Sequence, residues 1–408
     1  MRFSFIHAAD LHIDSPLASL GLKDKAVAER FASAGRHAVE ALIAETIESS
    51  AAFLIISGDV FDGDWKDVTT GLFFVRAIGA LHRAGIPVFM VKGNHDAESV
   101  MSRNLPYPDT VHVFPSDKAT TISIDACRVA LHGRSFPNRL TTDFVGSYPL
   151  RREGWLNIGV LHTSLDGTRG HEGYAPCTID DLKRFGYDYW ALGHVHAAEI
   201  VNRDPWIVYP GNLQGRSVRE TGAKGAMRVT VEKGCVVEVS PLVLDSARWA
   251  HLVIDVATAA DEAVVMEQIS AELADVHTQG DGRPLAVRIT LVGATVLHNH
   301  LVAHRELLQD DARAIGFRIS DNCWVEQLKV KTVLPQRPVS PLSLAEGLDL
   351  DILLEEAAND PGFDGDLTEL LETVKARLPK DLHARLSDAD MLKALASDAR
   401  ALLAGEAS

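Results

Sequence analysis

The sequence is poor in cysteine and has no long apolar run. Its four cysteines, Cys127, Cys177, Cys235 and Cys323, lie far apart and form no CxxC pair. This spacing excludes a zinc ribbon or a disulfide framework and is typical of a reducing cytoplasm. No apolar run approaches the length of a membrane span, and the first residues lack the apolar core of a signal peptide. We therefore expect a cytoplasmic protein without a membrane segment.

Positive charge is also scarce. The chain of 408 residues has 40 Lys and Arg against 56 Asp and Glu, which gives a formal net charge of −16. A nucleic-acid binder usually has a basic surface, so this balance counts mildly against DNA or RNA as a partner. The deficit is uneven, however, because residues 340–408 hold six basic and fifteen acidic side chains. Their balance of −9 leaves −7 for residues 1–339, so a nucleic-acid partner stays open.

Several short apolar segments end in polar side chains. The segment 86–91 is a β-branched run that predicts a buried parallel strand, and Gly93-Asn94-His95-Asp96 follows it. Helical periodicity over 24–50 and 67–84 separates the first three predicted strands and indicates a β-α-β-α-β order. In open α/β sheets, sites form at the carboxyl ends of the strands. The other predicted strands that end in such side chains are 2–9, 53–56, 156–161 and 188–192.

Seven side chains at these strand ends are of types that bind metal ions. They are carboxylate, amide and imidazole groups, with no thiolate: Asp10, His12, Asp59, Asn94, His162, His194 and His196. Mixed oxygen and nitrogen ligands suit Mn²⁺, Fe²⁺ or Zn²⁺ better than Ca²⁺ or a structural zinc. Seven ligands are too many for one ion, so we expect two ions that share a carboxylate. Asp59, central in the predicted strand order, is the expected bridge.

The chemistry expected of such a centre is phosphoester hydrolysis. Two metal ions about 4 Å apart can bind a phosphoryl group, activate a water molecule and neutralise the charge that develops on phosphorus. His95 lies beside a predicted ligand and is the candidate to protonate the leaving alkoxide or to hold a phosphoryl oxygen. The sequence has neither a P-loop nor a GxSxG motif, and the chemistry requires no covalent nucleophile.

Five motifs, in order along the chain, resemble those of the calcineurin-like metallophosphoesterase superfamily. They are Asp10-x-His12, Gly58-Asp59-x-x-Asp62, Gly93-Asn94-His95-Asp96, His162 and Gly193-His194-x-His196. The segments 8–16, 170–177 and 209–225 further resemble SbcD-type DNA repair exonucleases, most closely their YhaO-like branch. The resemblance implies a fold of the α+β/α/β class, a four-layer α-β-β-α metallophosphoesterase sandwich with a small α/β cap domain and a helical C-terminal tail.

The resemblance also implies roles for the candidate residues. One ion would take Asp10, His12, Asp59 and His196, and the other would take Asp59, Asn94, His162 and His194. His95 would be the catalytic histidine, and manganese the usual metal, with iron or zinc as alternatives. The implied partners are DNA, a second copy of the chain, and an SMC-like coiled-coil ATPase of the SbcC/YhaN type.

The chain is expected to contain three regions. Residues 1–245 are the predicted metallophosphoesterase, or nuclease, domain. Residues 246–335 have a predicted β-α-β-α-β order of elements and no ligand cluster, which indicates a small α/β capping domain. A proline-containing linker follows. Residues 336–408 are predicted to form an acidic helical region, whose leucine stripes suit either core packing or docking of a partner.

Some roles and functions stay open at this point. Arg216 and Arg219 are candidate substrate-binding residues, because positive side chains beside a phosphodiester supply sequence-independent affinity. The alternative for them is a hairpin with exposed charges. Asp62 and Asp96 are expected to hold loops or to support ligands rather than to bind ions. Three functions compete: a DNA exonuclease or endonuclease, a small-molecule phosphodiesterase or phosphatase, and a structural subunit of an ATPase complex.

Overall fold

The computed structural model describes residues 1–15, 25–62, 68–98, 105–137, 145–165 and 177–335, together with Thr373. The chain divides into two compact units. The first unit comprises Met1–Ala250 and Gly280–Ala286, and the second comprises His251–Gln279 and the residues from Val287 onward. Apart from Thr373, the predicted helical tail at 336–408 lies outside the described residues. Within the ranges given above, no helix is both long and apolar enough to cross a bilayer.

The first unit begins with alternating strands and helices and continues mainly with strands. The strands predicted at 2–9, 53–56, 86–91, 156–161 and 188–192 are present with ends shifted by one or two residues, and further strands and two short helices accompany them. In chain order the elements are β1 (Arg2–Ala8), α1 (Lys25–Glu48), β2 (Leu54–Ser57), α2 (Val68–Arg83), β3 (Val88–Val91), α3 (Asn94–Glu98), β4 (Val111–Val113), β5 (Thr120–Ile124), β6 (Val129–Gly133), β7 (Leu156–His162), α4 (Ile179–Lys183), β8 (Tyr189–Gly193), β9 (Glu199–Arg203), β10 (Trp206–Tyr209), β11 (Gly225–Glu232) and β12 (Cys235–Val243).

The described strands of this unit form two six-stranded sheets. The first sheet has the order β12-β11-β1-β2-β3-β4, in which β1 to β4 run parallel and β11 pairs antiparallel with β1. The second has the order β5-β6-β7-β8-β10-β9, with a parallel centre and antiparallel strands at both edges. The carboxyl ends of the parallel strands therefore lie along one edge of each sheet, where loops can gather polar side chains.

Strand side chains alternate between two buried faces, as the period of two requires. In β2, Leu54 and Ile56 join the core formed with α1 and α2, whereas Ile55 packs in the core between the sheets. In β8, Ala191 packs between the sheets and Trp190 packs in the outer core of the second sheet. The predicted layered α/β fold is confirmed. In the described residues its fourth layer is thin, because α4 and nearby loops cover that face.

The remaining elements contain a three-stranded sheet with the order β13-β14-β15. They are β13 (Arg248–Asp255), α5 (Glu262–Gln279), β14 (Leu285–Ala294), α6 (His298–Ala303), α7 (Arg305–Ile319) and β15 (Cys323–Val333). The sequence predicts one helix over 296–309, but the structure has two, which meet at His304, where φ is −101° and ψ is 16°. Helix α7 continues to Ile319 because Leu308, Ala312 and Ile315 keep one apolar face buried.

Candidate metal centre

The predicted ligands follow the carboxyl ends of β1, β2, β3, β7 and β8. Four of them have a positive φ, which is 51° at Asp10, 42° at His12, 53° at Asp59 and 104° at His194. Non-glycine residues rarely adopt such angles, so the surrounding structure must hold them. The main-chain N–H of Asp10 donates to the Gly58 carbonyl at 3.0 Å, and that of His12 donates to the Asp59 carbonyl at 3.1 Å. The loops after β1 and β2 thus hold each other in an otherwise disfavoured shape.

Glycine is required at two motif positions because other atoms fill the space of a side chain. A Cβ on Gly93 would lie 2.1 Å from Asp59 Oδ1. A Cβ on Gly193 would lie 2.0 Å from the Ser57 carbonyl oxygen. Any side chain at these positions would displace a candidate ligand or the strand beside it. These glycines therefore allow neighbouring strand ends to approach closely enough to share one pocket.

The first group of candidate ligands comprises Asp10, His12 and His196. The Nε2 atoms of His12 and His196 are 3.2 Å apart and lie 4.0 and 3.9 Å from Asp10 Oδ1. His12 Nδ1–H donates to Asp62 at 2.7 Å. His196 Nδ1–H donates to Glu220 at 2.8 Å. In neutral rings, the two Nε2 lone pairs then converge beside a carboxylate, an arrangement that a bound cation stabilises.

The second group comprises Asp10, Asp59 and His162. His162 Nε2 lies 3.3 Å from Asp59 Oδ2 and 3.0 Å from Asn94 Oδ1. Asp59 Oδ2 is also 3.9 Å from His12 Nε2, which belongs to the first group. Asp59 therefore lies between the two groups, a position that suits the predicted bridge. Asp10 is common to both groups, so two carboxylates connect them.

The centre combines buried carboxylates with imidazoles. Asp10 and Asp59 are 0% and 2% exposed. Burial alone would raise the pKa of Asp59, but the nearby imidazoles, His162 foremost, outweigh it and hold that pKa well below its usual range. Burial disfavours the charged form of His162, but the charge and hydrogen bond of Asp59 outweigh it and raise the pKa of His162 to about 9. Asp59 therefore stays ionised. Its negative charge stabilises a positive charge beside it, such as that of a bound divalent ion.

His194 and Asn94 complete the predicted ligand set. The main-chain N–H of His194 donates to Asp10 Oδ2 at 2.9 Å, and its ring centre lies 5.4 Å from that of His162. Burial, followed by the charge of His162, lowers the pKa of His194 to about 3. The ring is therefore neutral near pH 7, as ligation requires. The structure thus brings all seven predicted ligands together, although they come from residues 10 to 196.

His95, the predicted catalytic residue, lies at the open side of the centre. Its main-chain N–H donates to Asp59 Oδ1 at 3.1 Å, while its side chain is 39% exposed. Its ring centre is 5.3 Å from that of His12, and its Nδ1 lies 3.7 Å from Asp62 Oδ1. The imidazole is therefore next to the candidate ligands and accessible from outside, which suits a proton donor to a leaving group.

Asp96 is buried and has a structural task. It accepts hydrogen bonds from the main-chain N–H groups of Val60 at 3.2 Å, Phe61 at 3.0 Å and Gly93 at 3.1 Å. Burial first, and then the charge of Asp59, raise the pKa of Asp96 to about 7. These contacts tie the loop after β2 to the loop after β3, which confirms the prediction that Asp96 holds loops.

The two predicted substrate-binding residues have different surroundings. Arg216 Nη2 donates to Glu220 Oε1 at 2.9 Å, and Nη1 lies 3.5 Å from Asp62 Oδ1. Arg219 is exposed. Contact with substrate stays a prediction for both residues. Glu220 was missed by sequence reasoning, since its one local signal is its place four residues after Arg216 in a turn-rich loop.

Comparison with known families agrees with this geometry. Residues 3–198 match the family described as Calcineurin-like phosphoesterase, and residues 249–333 match the family described as Metallophosphoesterase YhaO, middle domain. Residues 3–198 are therefore a calcineurin-like metallophosphoesterase domain, which makes this part of the chain a phosphoester hydrolase of the dimetal type. The resemblance inferred from the five motifs is confirmed.

The chain is also similar to individual proteins and to solved structures. The chain is 29% identical over 418 residues to the Uncharacterized metallophosphoesterase YhaO of Bacillus subtilis, a match that covers 98% of this chain and 97% of that protein. It is 27% identical over 264 residues to the DNA double-strand break repair protein Mre11 of Methanopyrus kandleri, covering 57% of this chain and 55% of that protein. The crystal structure of a dimetal phosphatase from Danio rerio is 11% identical, with a TM-score of 0.35, and covers 58% of this chain and 98% of that chain. That structural likeness is too weak to support an argument about function.

Proposed function

We propose that this chain is a metal-dependent DNA repair nuclease that hydrolyses phosphodiester bonds, as an exonuclease or an endonuclease. The observation that carries the proposal is the pair of ligand groups that share Asp10 and meet at Asp59, beside the accessible His95. Such a centre suits displacement at phosphorus. DNA as the substrate is supported by the identity to a protein named for DNA double-strand break repair, not by the net charge.

The residues of the centre would divide the work of hydrolysis. When bound, two divalent cations supply charge stabilisation to the phosphoryl oxygens and activate the attacking water. Asp59 lies between the imidazoles of the two ligand groups, and Asp10 belongs to both groups, so these two carboxylates attract cations to the centre. His95 is placed to donate a proton to the leaving alkoxide oxygen. We expect manganese as the metal, with iron or zinc as alternatives.

Cleavage of labelled DNA is the direct test. Purified protein with Mn²⁺ is expected to cleave labelled duplex or single-stranded DNA, and a chelator should stop the reaction. The Asp59→Asn variant, purified in the same way, controls for contaminating nucleases, because it keeps the shape of the side chain and removes its charge. Hydrolysis of bis-p-nitrophenyl phosphate without any cleavage of DNA would contradict the nuclease proposal.

A small-molecule phosphodiesterase or phosphatase is the second candidate. Two observations favour it: the net charge of −16, and the engagement of Arg216 by Glu220 and Asp62. Both reduce the positive charge that a DNA backbone would meet. A panel of small phosphodiesters and phosphomonoesters, offered in competition with labelled DNA, separates the candidates. Preferential cleavage of DNA rules this second candidate out.

We also propose partners, which the resemblance of the sequence motifs supports. Residues 336–408 are the proposed docking segment for an SMC-like coiled-coil ATPase of the SbcC/YhaN type, in a cytoplasmic complex that contains two copies of this chain. If the chain is a structural subunit of such a complex, its main task would be to hold the ATPase. Deletion of 340–408 should leave hydrolysis unchanged and weaken binding to the purified ATPase. Loss of hydrolysis in a folded deletion variant would contradict this division of labour.

A further inference from the structure

Three charged side chains lie directly behind the first ligand group. Arg216 stands between two carboxylates, with Nη2 donating to Glu220 Oε1 at 2.9 Å and Nη1 lying 3.5 Å from Asp62 Oδ1. Asp62, Arg216 and Glu220 together form a charged cluster that we call the brace. Their side chains are 24%, 22% and 12% exposed, so the brace is largely sheltered from solvent. Its charges alternate in sign, so that each member stabilises the next.

Each carboxylate of the brace also accepts a hydrogen bond from one imidazole. Asp62 accepts from His12 Nδ1–H at 2.7 Å, and Glu220 accepts from His196 Nδ1–H at 2.8 Å. Because an ionised carboxylate can only accept, these contacts place a ring proton on Nδ1 and leave Nε2 as the electron donor. The two Nε2 atoms lie 3.2 Å apart. The brace therefore sets the tautomer and the direction of both imidazoles in the first group.

Glu220 is itself held in place. Its Oε2 accepts from Asn212 Nδ2 at 2.9 Å and from the main-chain N–H of Arg216 at 2.8 Å. Lys224 Nζ donates to the carbonyl oxygen of His196 at 2.8 Å, so the backbone of that candidate ligand is fixed as well. A loop with this many internal contacts is preorganised, and it loses little conformational freedom when a ligand binds.

The imidazole of the second group is supported differently. His162 Nδ1–H donates to the main-chain carbonyl oxygen of Ser57 at 2.8 Å. That acceptor is neutral and belongs to strand β2, so the direction of this ring is set by the sheet. The imidazoles of the first group are therefore oriented by charged side chains, and His162 of the second group is oriented by a peptide carbonyl. A change in the brace should therefore affect one group alone.

We propose that Asp62, Arg216 and Glu220 are positioning residues that set the metal affinity of the first group, and that Arg216 serves the imidazoles rather than the substrate. The inference rests on the two-metal centre of the proposed function and does not depend on DNA as the substrate. A carboxylate behind an imidazole makes it a more basic ligand than a neutral carbonyl does. The first group should therefore bind its ion more tightly than the second.

Calorimetric titration of the metal-free protein with Mn²⁺ is the test. The wild-type chain should bind two ions, and Glu220→Gln should bind one of them roughly 10- to 100-fold more weakly, with the other unchanged. Glutamine keeps the shape of Glu220 but removes the charge that backs His196. Glu326→Gln is the matched control, because Glu326 in the second unit is 7% exposed and accepts two hydrogen bonds from Arg288 at 3.0 Å. It should bind both ions as the wild type does.

Arg216→Lys separates positioning from contact with substrate. Lysine keeps the positive charge but is a point charge that cannot span both carboxylates as the guanidinium fork does. A positioning role predicts one weakened ion and an unchanged KM for bis-p-nitrophenyl phosphate at saturating Mn²⁺. A raised KM with both ions bound as in the wild type would overturn the inference and identify Arg216 as a substrate contact.

Asp62→Asn changes the carboxylate on the other side of Arg216 and is a second, independent test of the brace. It should weaken one ion, and the double variant Asp62→Asn, Glu220→Gln should still weaken only one. Circular dichroism of the metal-free variants checks folding, and Asp62→Asn answers the question if Glu220→Gln does not fold. Weakening of both ions, or of neither, overturns the inference. A wild-type chain that binds fewer than two ions contradicts the two-metal function itself, before any variant is compared.

Discussion

The two units use the polar residues at their strand ends differently. In the second unit, Asp255 Oδ1 accepts from the Ala257 N–H at 2.9 Å, and Thr295 Oγ1 accepts from the N–H two residues further on at 3.2 Å. Each of these side chains caps its own turn. In the first unit, the corresponding side chains reach across the fold, and His12 meets His196 although 184 residues separate them. A polar residue after a strand therefore marks a site only when distant strand ends converge on it.

The largest effect expected from this comparison is on hydrolysis. Asp10→Asn should lower kcat/KM for bis-p-nitrophenyl phosphate by roughly 1,000-fold or more, because Asp10 belongs to both ligand groups and several kcal/mol of charge stabilisation depend on them. Asp255→Asn changes an exposed strand-end carboxylate of the second unit and should leave the rate unchanged. Similar losses of kcat/KM in the two variants would show that strand ends that converge do not differ in function from strand ends that cap their own turn.

His95→Ala should have the next largest effect. The variant should lose roughly 100- to 1,000-fold in kcat, as expected for the removal of a general acid, while it still binds two ions. Steady-state kinetics combined with calorimetric titration would measure both quantities. His304→Ala, which removes an exposed histidine of the second unit, is the control and should be neutral. Loss of bound metal in His95→Ala would mean that the residue supports the centre rather than the reaction.

Bound metal should stabilise the protein through the converging side chains. At a free Mn²⁺ concentration 100 times the dissociation constant, one site adds about 2.7 kcal/mol to the free energy of unfolding. Chemical denaturation with Mn²⁺ and with a chelator would measure the difference. Asp255→Asn should retain this stabilisation, and Asp10→Asn should lose most of it. A gain of the same size in Asp10→Asn would place the bound ions elsewhere.

The smallest expected effects concern two glycines of the first unit. Gly193→Ala should cost about 1–3 kcal/mol of stability, because its Cβ would lie 2.0 Å from the Ser57 carbonyl oxygen. Gly35→Ala, within α1, places its Cβ in open space and should stabilise the protein by about 0.5–1 kcal/mol. Urea denaturation would measure both changes. A loss in Gly35→Ala equal to that in Gly193→Ala would show that the close approach of strand ends is not what requires glycine.

Much of the first unit could be predicted because its signals are local. The apolar run that contains Ile55 identifies a strand buried on both faces, and the polar residues that follow such strands share an edge when the strands are parallel. The candidate ligands and the place of His95 beside one of them follow from that reasoning. The break at His304 could not be predicted, because the apolar spacing runs through it without interruption.

Other features depend on partners that are distant in the sequence. Strand β11 lies beside β1, and no local pattern in either segment specifies that pairing. Glu220 is a glutamate in a turn-rich loop, where most glutamates are solvated. Its role follows from His196 and Asn212, which only the folded backbone brings to it. Residues whose task is to orient another side chain are therefore the hardest part of such a centre to predict.

The place of β1 inside its sheet has a consequence for synthesis on the ribosome. Its neighbour β2 is complete at Ser57, but its other neighbour, β11, is complete only at Glu232. At roughly 5–20 residues per second, the nascent chain presents an unpaired strand edge for on the order of 10 s or longer. An open edge can pair with other chains, so we expect chaperones that cover this edge during translation to raise the yield of folded protein. A metal ion cannot meet the full set of candidate ligands until His196 has left the exit tunnel.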